Sequence, residues 1–307
     1  DIPVSQFPAK LVLELRSLTR KYYDLTDERS AHINKLKGDL HTVFPQYLDV
    51  FCDVTGKTST MILRQYGTPD KILRGHKKTM IEKISKASRK GLAKASERYE
   101  KLCAAANAAK TFGCQIDSIY FNIFLTLDLV EKLDSALDSI LNRIRQLITF
   151  NKNEKFIQQI KLLNTIPGVG FLTAVTIMCE IGDFSAFRNP KQLFAYFGLD
   201  PEVNESGKFV GTQLHMSKRG SRIARRAIFA VALASIRTKR NGEGINPYLR
   251  KYYELKSGQK PKMVAIGAVM HKVCNIVFAV LRDEKAFELR SPEEHCKQYQ
   301  RPALAAA

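Results

Sequence analysis

Apolar residues recur at helical spacing along most of the chain. Over residues 8–44 they mark one face of a helix, at Leu11, Leu15, Leu18, Tyr22, Leu25, Ile33, Leu36 and Leu40. Pro45 ends this pattern, and Gly56, Gly67, Pro69 and Gly75 interrupt the stretch that follows it. The pattern therefore predicts one long amphipathic helix and then several short helical pieces up to about residue 75.

Two further long helices are predicted over residues 77–110 and 114–150. In the second, apolar residues alternate three and four positions apart from Ile116 to Leu147, which is close to a heptad repeat. Because only a short break near Gly113 separates the two helices, we predict a long antiparallel coiled-coil hairpin within residues 76–152. Such a hairpin either packs within one subunit or joins two subunits, and dimerisation is the interpretation we favour.

A helical C-terminal domain is predicted over residues 153–290, after a polar break at residues 151–155. We expect four or five helices in it, joined by loops at residues 182–189, 200–213 and 239–246. No alternating pattern is long enough for a full strand, although a short strand pair fits residues 208–213. The predicted fold class is therefore mainly all-α, with a helical linker region over residues 1–75 and a low-information tail over residues 291–307.

Positive charge dominates the composition. The chain has 49 Lys and Arg against 30 Asp and Glu, a formal net charge of +19. An excess of this size most commonly neutralises phosphates. It is concentrated in residues 205–262, with fourteen basic and three acidic residues, and in residues 71–101, with eleven and three. Because no uninterrupted apolar run or aromatic-anchored surface helix points to a membrane, nucleic acid is the predicted partner. A merely solvated charged face is the alternative.

One predicted nucleic-acid contact is the segment LLNTIPGVGFLTAVTIMCEIG at residues 162–182. Two apolar helices flank a Pro-Gly-Val-Gly turn, which is the helix-hairpin-helix pattern. Gly168 and Gly170 are expected to let the backbone approach a DNA phosphate, which the N–H groups of the next helix would then face. The alternative is a tight helical turn that binds nothing.

A second candidate is the segment NESGKFVGTQLHMSKRGSRIARRAIF at residues 204–229. It combines a serine in a glycine turn, Ser206, with basic residues around a helix start, and Ser217 or Ser221 is predicted to cap that helix. The basic residues expected to bind DNA or RNA are Lys208, Lys218, Arg219, Arg222, Arg225 and Arg226. No histidine stands at a spacing suited to activate Ser206, so a hydrolase triad is not supported.

No metal site is predicted in this chain. The acidic residues Asp128, Glu131, Asp134 and Asp138 lie on one helix and are interpreted as surface charges, and Asp183 as a helix cap. The six cysteines form no CxxC pair, so we interpret them as reduced core residues of a cytoplasmic protein.

Five segments, taken in order, resemble one family. They are IPGVG, FRNPKQLFAYFGLDPEV, ESGKF, MSKRGSRIARRAIFAVALAS and NPYLRKYYELKSGQKPKMVAIGAVMHKVCNIVFAVL. Together they resemble the C-terminal region of transposases of the IS110 group, which includes the IS1111 subgroup. The resemblance is close over residues 160–285, and residues 8–150 resemble the linker and coiled-coil region of the same proteins.

The resemblance implies a site-specific DNA recombinase from a bacterial or archaeal mobile element. Ser206 matches the family's nucleophilic serine, which attacks a DNA phosphodiester. A divalent metal, Mg²⁺, is expected only in an N-terminal RuvC-like domain with a DEDD acidic set, and that domain is absent from this chain. The chain alone is therefore expected to be inactive in recombination.

The family also implies partners. Its members act on DNA as dimers or tetramers, and a subset is guided by a structured bridge RNA. Two other functions stay open: a non-catalytic module for nucleic-acid binding and dimerisation, and a coiled-coil assembly protein whose charge is incidental.

Overall fold

The computed structural model describes residues 9–151, 154–202, 205–206, 209–210, 215–291 and 293–294. Almost all regular structure in these residues is helical, and the one sheet among them has two strands of two residues each. The mainly all-α class is therefore confirmed. The chain divides into two compact units: a central unit, Tyr22–Ile140, and a terminal unit formed by Asp1–Lys21 with Leu141–Ala307.

The first half of the chain contains seven helices among its described residues. They are α1 (Lys10–Val43), α2 (Tyr47–Val50), α3 (Lys57–Gln65), α4 (Pro69–Arg74), α5 (Lys77–Ser88), α6 (Leu92–Phe112) and α7 (Asp117–Phe150). The long helices predicted over residues 8–44 and 114–150 are confirmed as α1 and α7. The short pieces predicted between residues 45 and 75 are confirmed as α2, α3 and α4.

Within the central unit, α1 and α7 run antiparallel. The Arg29 guanidinium bonds the Asp134 carboxylate, with Nη2 3.2 Å from Oδ2, and the Tyr120 hydroxyl donates to the Val43 carbonyl at 3.3 Å. These two contacts are fourteen residues apart on each helix, and the numbering rises on α1 as it falls on α7. The core of the unit lies beside them and includes the fully buried Phe44, Tyr47, Leu63, Met80 and Leu102.

The prediction of a single helix over residues 77–110 is wrong, because this stretch forms the two helices α5 and α6. The chain turns back at Arg89, which has a left-handed φ of 53°, and α5 packs against α6. Ser85 Oγ donates to the Lys90 carbonyl at 2.8 Å, and the Lys90 N–H donates to Ser88 Oγ at 3.3 Å. Serine side chains that bond nearby backbone compete with the helical ladder, so the helix ends there.

The predicted coiled-coil hairpin over residues 76–152 is consequently not confirmed. Helix α6 packs against α2, α4 and α5, whereas the described polar side-chain contacts of α7 join it to α1 and α3. Dimerisation through this region stays a prediction.

The terminal unit contains more helices than the four or five predicted. Its described elements after α7 are α8 (Glu154–Leu163), α9 (Phe171–Ile181), a 3-10 helix (Phe184–Ala186), α10 (Pro190–Tyr196), strands β1 (Glu205–Ser206) and β2 (Phe209–Val210), α11 (Arg222–Ser235), α12 (Pro247–Ser257) and α13 (Lys262–Asp283). Two of these helices begin with an Asn-Pro pair. The Asn189 and Asn246 side chains accept from Gln192 N and Leu249 N, and a proline takes the first helical position in each.

Helix α13 forms the centre of the terminal unit. It packs against α8, α10, α11 and α12, and Val269, Val273 and Val277 are fully buried. Among the described helices it alone is long and apolar enough to cross a membrane, judged by length and composition. More than half of its apolar stretch, 56%, is buried inside the unit, as in the core helix of a globular domain.

The packing of the central unit predicts a large stability difference between two leucines. Leu63 is 1% exposed and Leu92 is 60% exposed. Replacing Leu63 by Ala leaves a cavity and should lower the free energy of unfolding by roughly 2–5 kcal/mol. Leu92→Ala should change it by less than about 0.5 kcal/mol. Urea unfolding of both variants measures this, and equal losses would contradict the described core.

Candidate nucleic-acid interface

The basic segment Lys218–Gly220 is fixed against the end of α10 by a close backbone crossing. Lys218 N donates to the Gly198 carbonyl at 3.0 Å. A Cβ added to Gly198 would lie 2.4 Å from Gly220 N, and one added to Gly220 would lie 2.0 Å from the Tyr196 carbonyl. Side chains cannot be accommodated at such distances, so both glycines are required where these segments cross.

Arg225 clamps this crossing from α11. Its Nη1 donates to the carbonyls of Phe197 at 3.1 Å, Lys218 at 3.2 Å and Gly220 at 2.8 Å. The structure thus gives Arg225 a positioning role that the sequence did not indicate. A contact from Arg225 to nucleic acid, predicted from its charge, stays a prediction.

The other basic residues surround the start of α11. Lys218 and Arg219 are exposed, and neither side chain has an ion pair with any residue that the structure describes. Arg222 is exposed and Arg226 half-buried, one turn further along. The first turn of α11 contains no acidic residue. Because the helix dipole already makes this end positive, the arrangement favours a bound anion.

Ser221 caps α11 and ties it to a buried carboxylate. Ser221 Oγ accepts from Ala224 N at 3.1 Å, which confirms the predicted cap, and donates to Glu180 Oε2 at 2.8 Å. Glu180 lies at the end of α9 and is 2% exposed. It also forms a two-bond ion pair with Arg20 of α1, at 2.8 and 2.9 Å.

The same corner joins α1 and α10 to the end of α9. Arg16 Nε donates to the Cys179 carbonyl at 2.8 Å, and the Tyr196 hydroxyl donates to the Glu180 carbonyl at 3.0 Å. Burial by itself would raise the pKa of Glu180, but the hydrogen bonds from Arg20 and Ser221 outweigh it and hold the pKa below its ordinary value. Glu180 is therefore an ionised centre that links α1, α9 and the cap of α11.

The two glycines of the α8–α9 turn, Gly168 and Gly170, have different surroundings. Gly168 has a φ of 97°, and an added Cβ would lie 2.6 Å from Ser235 Oγ on α11. Ser235 Oγ in turn donates to the Pro167 carbonyl at 2.9 Å. Gly168 thus serves close packing against α11, which is a physical reason the sequence interpretation did not supply.

Gly170 has open space around it. An added Cβ would meet no atom within 4 Å, and no side chain caps the α9 N-terminus that follows. The N–H groups of a first helical turn have no partners within the helix, so this end of α9 fits the predicted approach of a phosphate. The helix-hairpin-helix interpretation itself stays a prediction.

Ser206 lies in a paired strand segment. It stands opposite Phe209 in the β1–β2 pair, and Glu205 stands opposite Val210. The flanking residues are also paired, because Pro201 bridges Met216 and Ser217 Oγ donates to Asp200 Oδ1 at 2.6 Å. The strand pair predicted near residues 208–213 therefore begins earlier, at Glu205. The side chain of Ser206 and the whole of Lys208 lie outside the described residues.

The acidic row of α7 is paired with arginines. Arg64 of α3 bonds Asp128 at 2.6 Å and Glu131 at 2.9 Å, and Asp134 bonds Arg29. No group of three or more His, Cys, Asp or Glu that could hold a metal ion occurs among the residues that the structure describes.

Two smaller expectations have mixed outcomes. The Asp183 cap is confirmed, since its carboxylate accepts from Ser185 N at 2.9 Å. Cys179 and Cys274 are buried as expected, and burial raises the pKa of the Cys179 thiol to about 12. Cys52 and Cys114 are exposed, so the core interpretation is wrong for them. Cys296 lies outside the described residues.

Known proteins match the part of the chain that contains this interface. Residues 160–254 match the model of the transposase IS116/IS110/IS902 family. The insertion element IS110 uncharacterized 43.6 kDa protein of Streptomyces coelicolor is 23% identical over 286 residues, 92% of this chain. Over residues 160–254 the chain is similar to transposases of the IS116/IS110/IS902 family. The resemblance predicted from its motifs is confirmed.

Two further relatives of this chain have informative names. The pilin gene-inverting protein of Moraxella bovis is 30% identical over 177 residues, covering 57% of this chain and 52% of that protein. The transposase for insertion sequence element IS1111A of Coxiella burnetii is 26% identical over 188 residues, covering 59% and 50%. The chain spans 66% of the length of the Streptomyces coelicolor relative and about half of the length of the other two.

The sequence interpretation missed Glu180 and its partners Arg20 and Ser221. A single glutamate inside the apolar stretch AVTIMCEIG is a usable signal, because a carboxylate is rarely buried without a partner. Nothing local indicated that the partners would be Arg20 and Ser221, which are 160 and 41 residues away.

The buried ion pair between Glu180 and Arg20 predicts a pH-dependent effect on the stability of this protein. Removing the charge with Glu180→Gln leaves Arg20 without its partner and should lower the free energy of unfolding by about 2 kcal/mol or more near neutral pH. The pKa of folded Glu180 is below its ordinary value, so its stabilisation is present above about pH 4.3, the unfolded value, and fades as the pH falls through the folded pKa.

Urea unfolding at a series of pH values measures this effect. The gap between wild type and Glu180→Gln should stay constant from about pH 6 to 7 and narrow below about pH 4. Glu82→Gln, at an exposed glutamate, is the control and should show almost no gap. A gap that widens toward low pH would contradict the described ion pair.

The two turn glycines predict opposite outcomes. Gly168→Ala forces a left-handed backbone on alanine and a contact with Ser235, so it should lower the free energy of unfolding by about 1–3 kcal/mol. Gly170→Ala meets no atom and should change it by less than about 0.5 kcal/mol. Thermal or urea unfolding compares them, and a large loss in Gly170→Ala would show that its surroundings are not open.

Proposed function

We propose that the chain is the DNA-binding and nucleophile-bearing part of an insertion-sequence transposase that acts as a site-specific recombinase. Ser206 is the proposed nucleophile. Lys218, Arg219, Arg222 and Arg226 are proposed to hold nucleic-acid phosphates beside it, together with Lys208 and Gly170.

The proposal rests on one observation. The segment that contains Ser206 leads directly into the basic segment Lys218–Gly220, which is fixed against the end of α10. The pairing of Pro201 with Met216 brings both ends of that segment together at its base. Two residues after Met216, Lys218 is bonded to Gly198 and begins the crossing that Arg225 clamps. A phosphate held by the cations between Lys218 and Arg222 would therefore lie near the Pro201–Met216 pair, where the segment that contains Ser206 begins and ends.

The proposed chemistry is transfer of a phosphodiester to serine. Ser206 Oγ forms a new P–O bond, the bond between phosphorus and one deoxyribose oxygen breaks, and that oxygen leaves as a hydroxyl. The serine proton passes to the leaving oxygen by way of solvent. Since a serine hydroxyl is a weak nucleophile unaided, the surrounding cations are proposed to stabilise the charge that builds up on the phosphate.

The complete protein is proposed to supply what the described residues do not. A RuvC-like domain with an acidic DEDD set would bind Mg²⁺ and contribute metal-ion catalysis. Assembly into dimers or tetramers and guidance by a bridge RNA are parts of the same proposal. The names of the relatives support the DNA reaction, because they are a transposase and a gene-inverting protein.

A non-catalytic nucleic-acid-binding module is the second candidate. The uncapped α9 N-terminus and the exposed Lys218 and Arg219 support phosphate binding without requiring any reaction. In that case Ser206 would only shape its strand pair.

A covalent-adduct assay separates the two candidates. The protein carrying this chain together with its RuvC-like domain is incubated with Mg²⁺, candidate guide RNA and fluorescent donor DNA, then run on a denaturing gel. We expect a protein–DNA adduct with wild type and none with Ser206→Ala, because alanine has no oxygen to attack phosphorus.

Ser139→Ala is the matched control, since Ser139 is an exposed serine of α7 in the central unit, and it should retain the adduct. An adduct formed equally by Ser206→Ala would show that another residue is the nucleophile. The absence of any adduct, alongside DNA binding that weakens steeply with salt, would favour the binding module.

A further inference from the structure

The α5–α6 turn presents a second concentration of positive charge, in the central unit. Residues 83–94 contain five Lys or Arg and no acidic residue. We define the hairpin tip as Lys86, Arg89, Lys90 and Lys94, all of which are exposed. This surface belongs to the other compact unit and shares no residue with the Lys218–Arg226 interface.

The cations of the α5–α6 hairpin differ along its length in whether they have acidic partners. Three cations away from the turn have acidic partners: Lys77 with Glu100 at 3.9 Å, Lys101 with Glu97 at 2.8 Å, and Lys110 with Asp70 at 2.6 Å. At the tip, none of the four side chains has an ion pair with a residue that the structure describes. The ion pairs that the structure describes in this hairpin thus lie away from its tip.

The tip is held in a defined shape. Ile84 and Ala95, which are almost fully buried, anchor the two helices close to the turn. Ser85 Oγ bonds the Lys90 carbonyl at 2.8 Å across the turn, and Ser88 Oγ accepts from Lys90 N. Little backbone freedom therefore remains to be lost when the four cations meet a ligand.

The ligand chemistry follows from what the tip contains and lacks. Four closely spaced cations match successive phosphates of a nucleic acid. Residues 83–94 contain no aromatic residue on which unpaired bases could stack, and single-stranded nucleic acids are commonly held by such stacking. The chemistry at the tip therefore suits the outer phosphate backbone of a duplex.

We propose that the hairpin tip is a second, sequence-independent contact for the phosphate backbone of duplex DNA. The proposal rests on the proposed function, in which the protein handles DNA through the Lys218–Arg226 interface. The open α6 N-terminus beside Gly91 adds a favourable potential, and the four side chains carry the interaction.

The test is a salt titration of DNA binding by the whole chain. A fluorescent 30-base-pair duplex is titrated with wild type and with K86Q/R89Q/K90Q/K94Q at a series of salt concentrations. Each lost phosphate contact lowers the slope of log K against log salt by about 0.9, so we expect a reduction of more than about 2. The matched control, K10Q/K21Q/K35Q/K37Q, removes four exposed charges from α1 and should reduce the slope by less than about 1.

Circular dichroism and the unfolding midpoint of both quadruple variants show that the fold is retained. An unchanged slope in the tip variant overturns the inference, and so does an equal loss in the control, which would indicate bulk charge alone. A loss that is as large for a 30-nucleotide single strand, or for poly-glutamate, overturns the assignment to a duplex.

This experiment also distinguishes the inference from the proposed function. If wild type fails to bind the duplex, the proposed function itself fails. If wild type binds and only K218Q/R219Q weakens binding, the proposed interface stands and the hairpin tip has no role in DNA binding.

Discussion

The arrangement of the terminal unit depends on one buried carboxylate. Glu180 is ionised at the end of α9 and takes two hydrogen bonds from Arg20 and one from Ser221. A buried charge is costly unless it is paired, so its position restricts where α1 and the start of α11 can lie. Because Ser221 is also the cap of α11, the Glu180 carboxylate helps to fix the position of residues 218–220, which precede Ser221.

The geometry of the basic interface depends on a backbone crossing next to Ser221. Gly198 and Gly220 allow two backbone segments to cross at distances that exclude any side chain, and Arg225 bonds three carbonyls across the crossing. Lys218 and Arg219 are thereby exposed on a rigid base. Holding cations in place before binding reduces the entropy lost when a phosphate is bound. A charge-bearing loop of the same composition without this crossing would lack that advantage.

The structure presents a positively charged surface in each of its two compact units. Three cations of the α5–α6 hairpin away from its tip have acidic partners, and the four at its tip have no ion pair with a described residue. Asp128, Glu131 and Asp134 of α7 are likewise paired with Arg29 or Arg64. The excess positive charge of +19 is therefore unevenly distributed along the chain. It is greatest where few acidic residues lie close to the basic ones.

The sequence by itself determined the features that depend on near neighbours. Helical periodicity predicted α1 and α7, the Ser221 cap was one of two local choices, and the motifs together predicted the transposase family. The tertiary structure decided the features that depend on distant partners. Gly168 packs against Ser235, Arg225 clamps a backbone crossing, and Glu180 pairs with Arg20 across 160 residues. The physical reason is that a sequence pattern encodes which face of a helix is apolar, whereas the partner of a buried polar group is chosen only when helices meet.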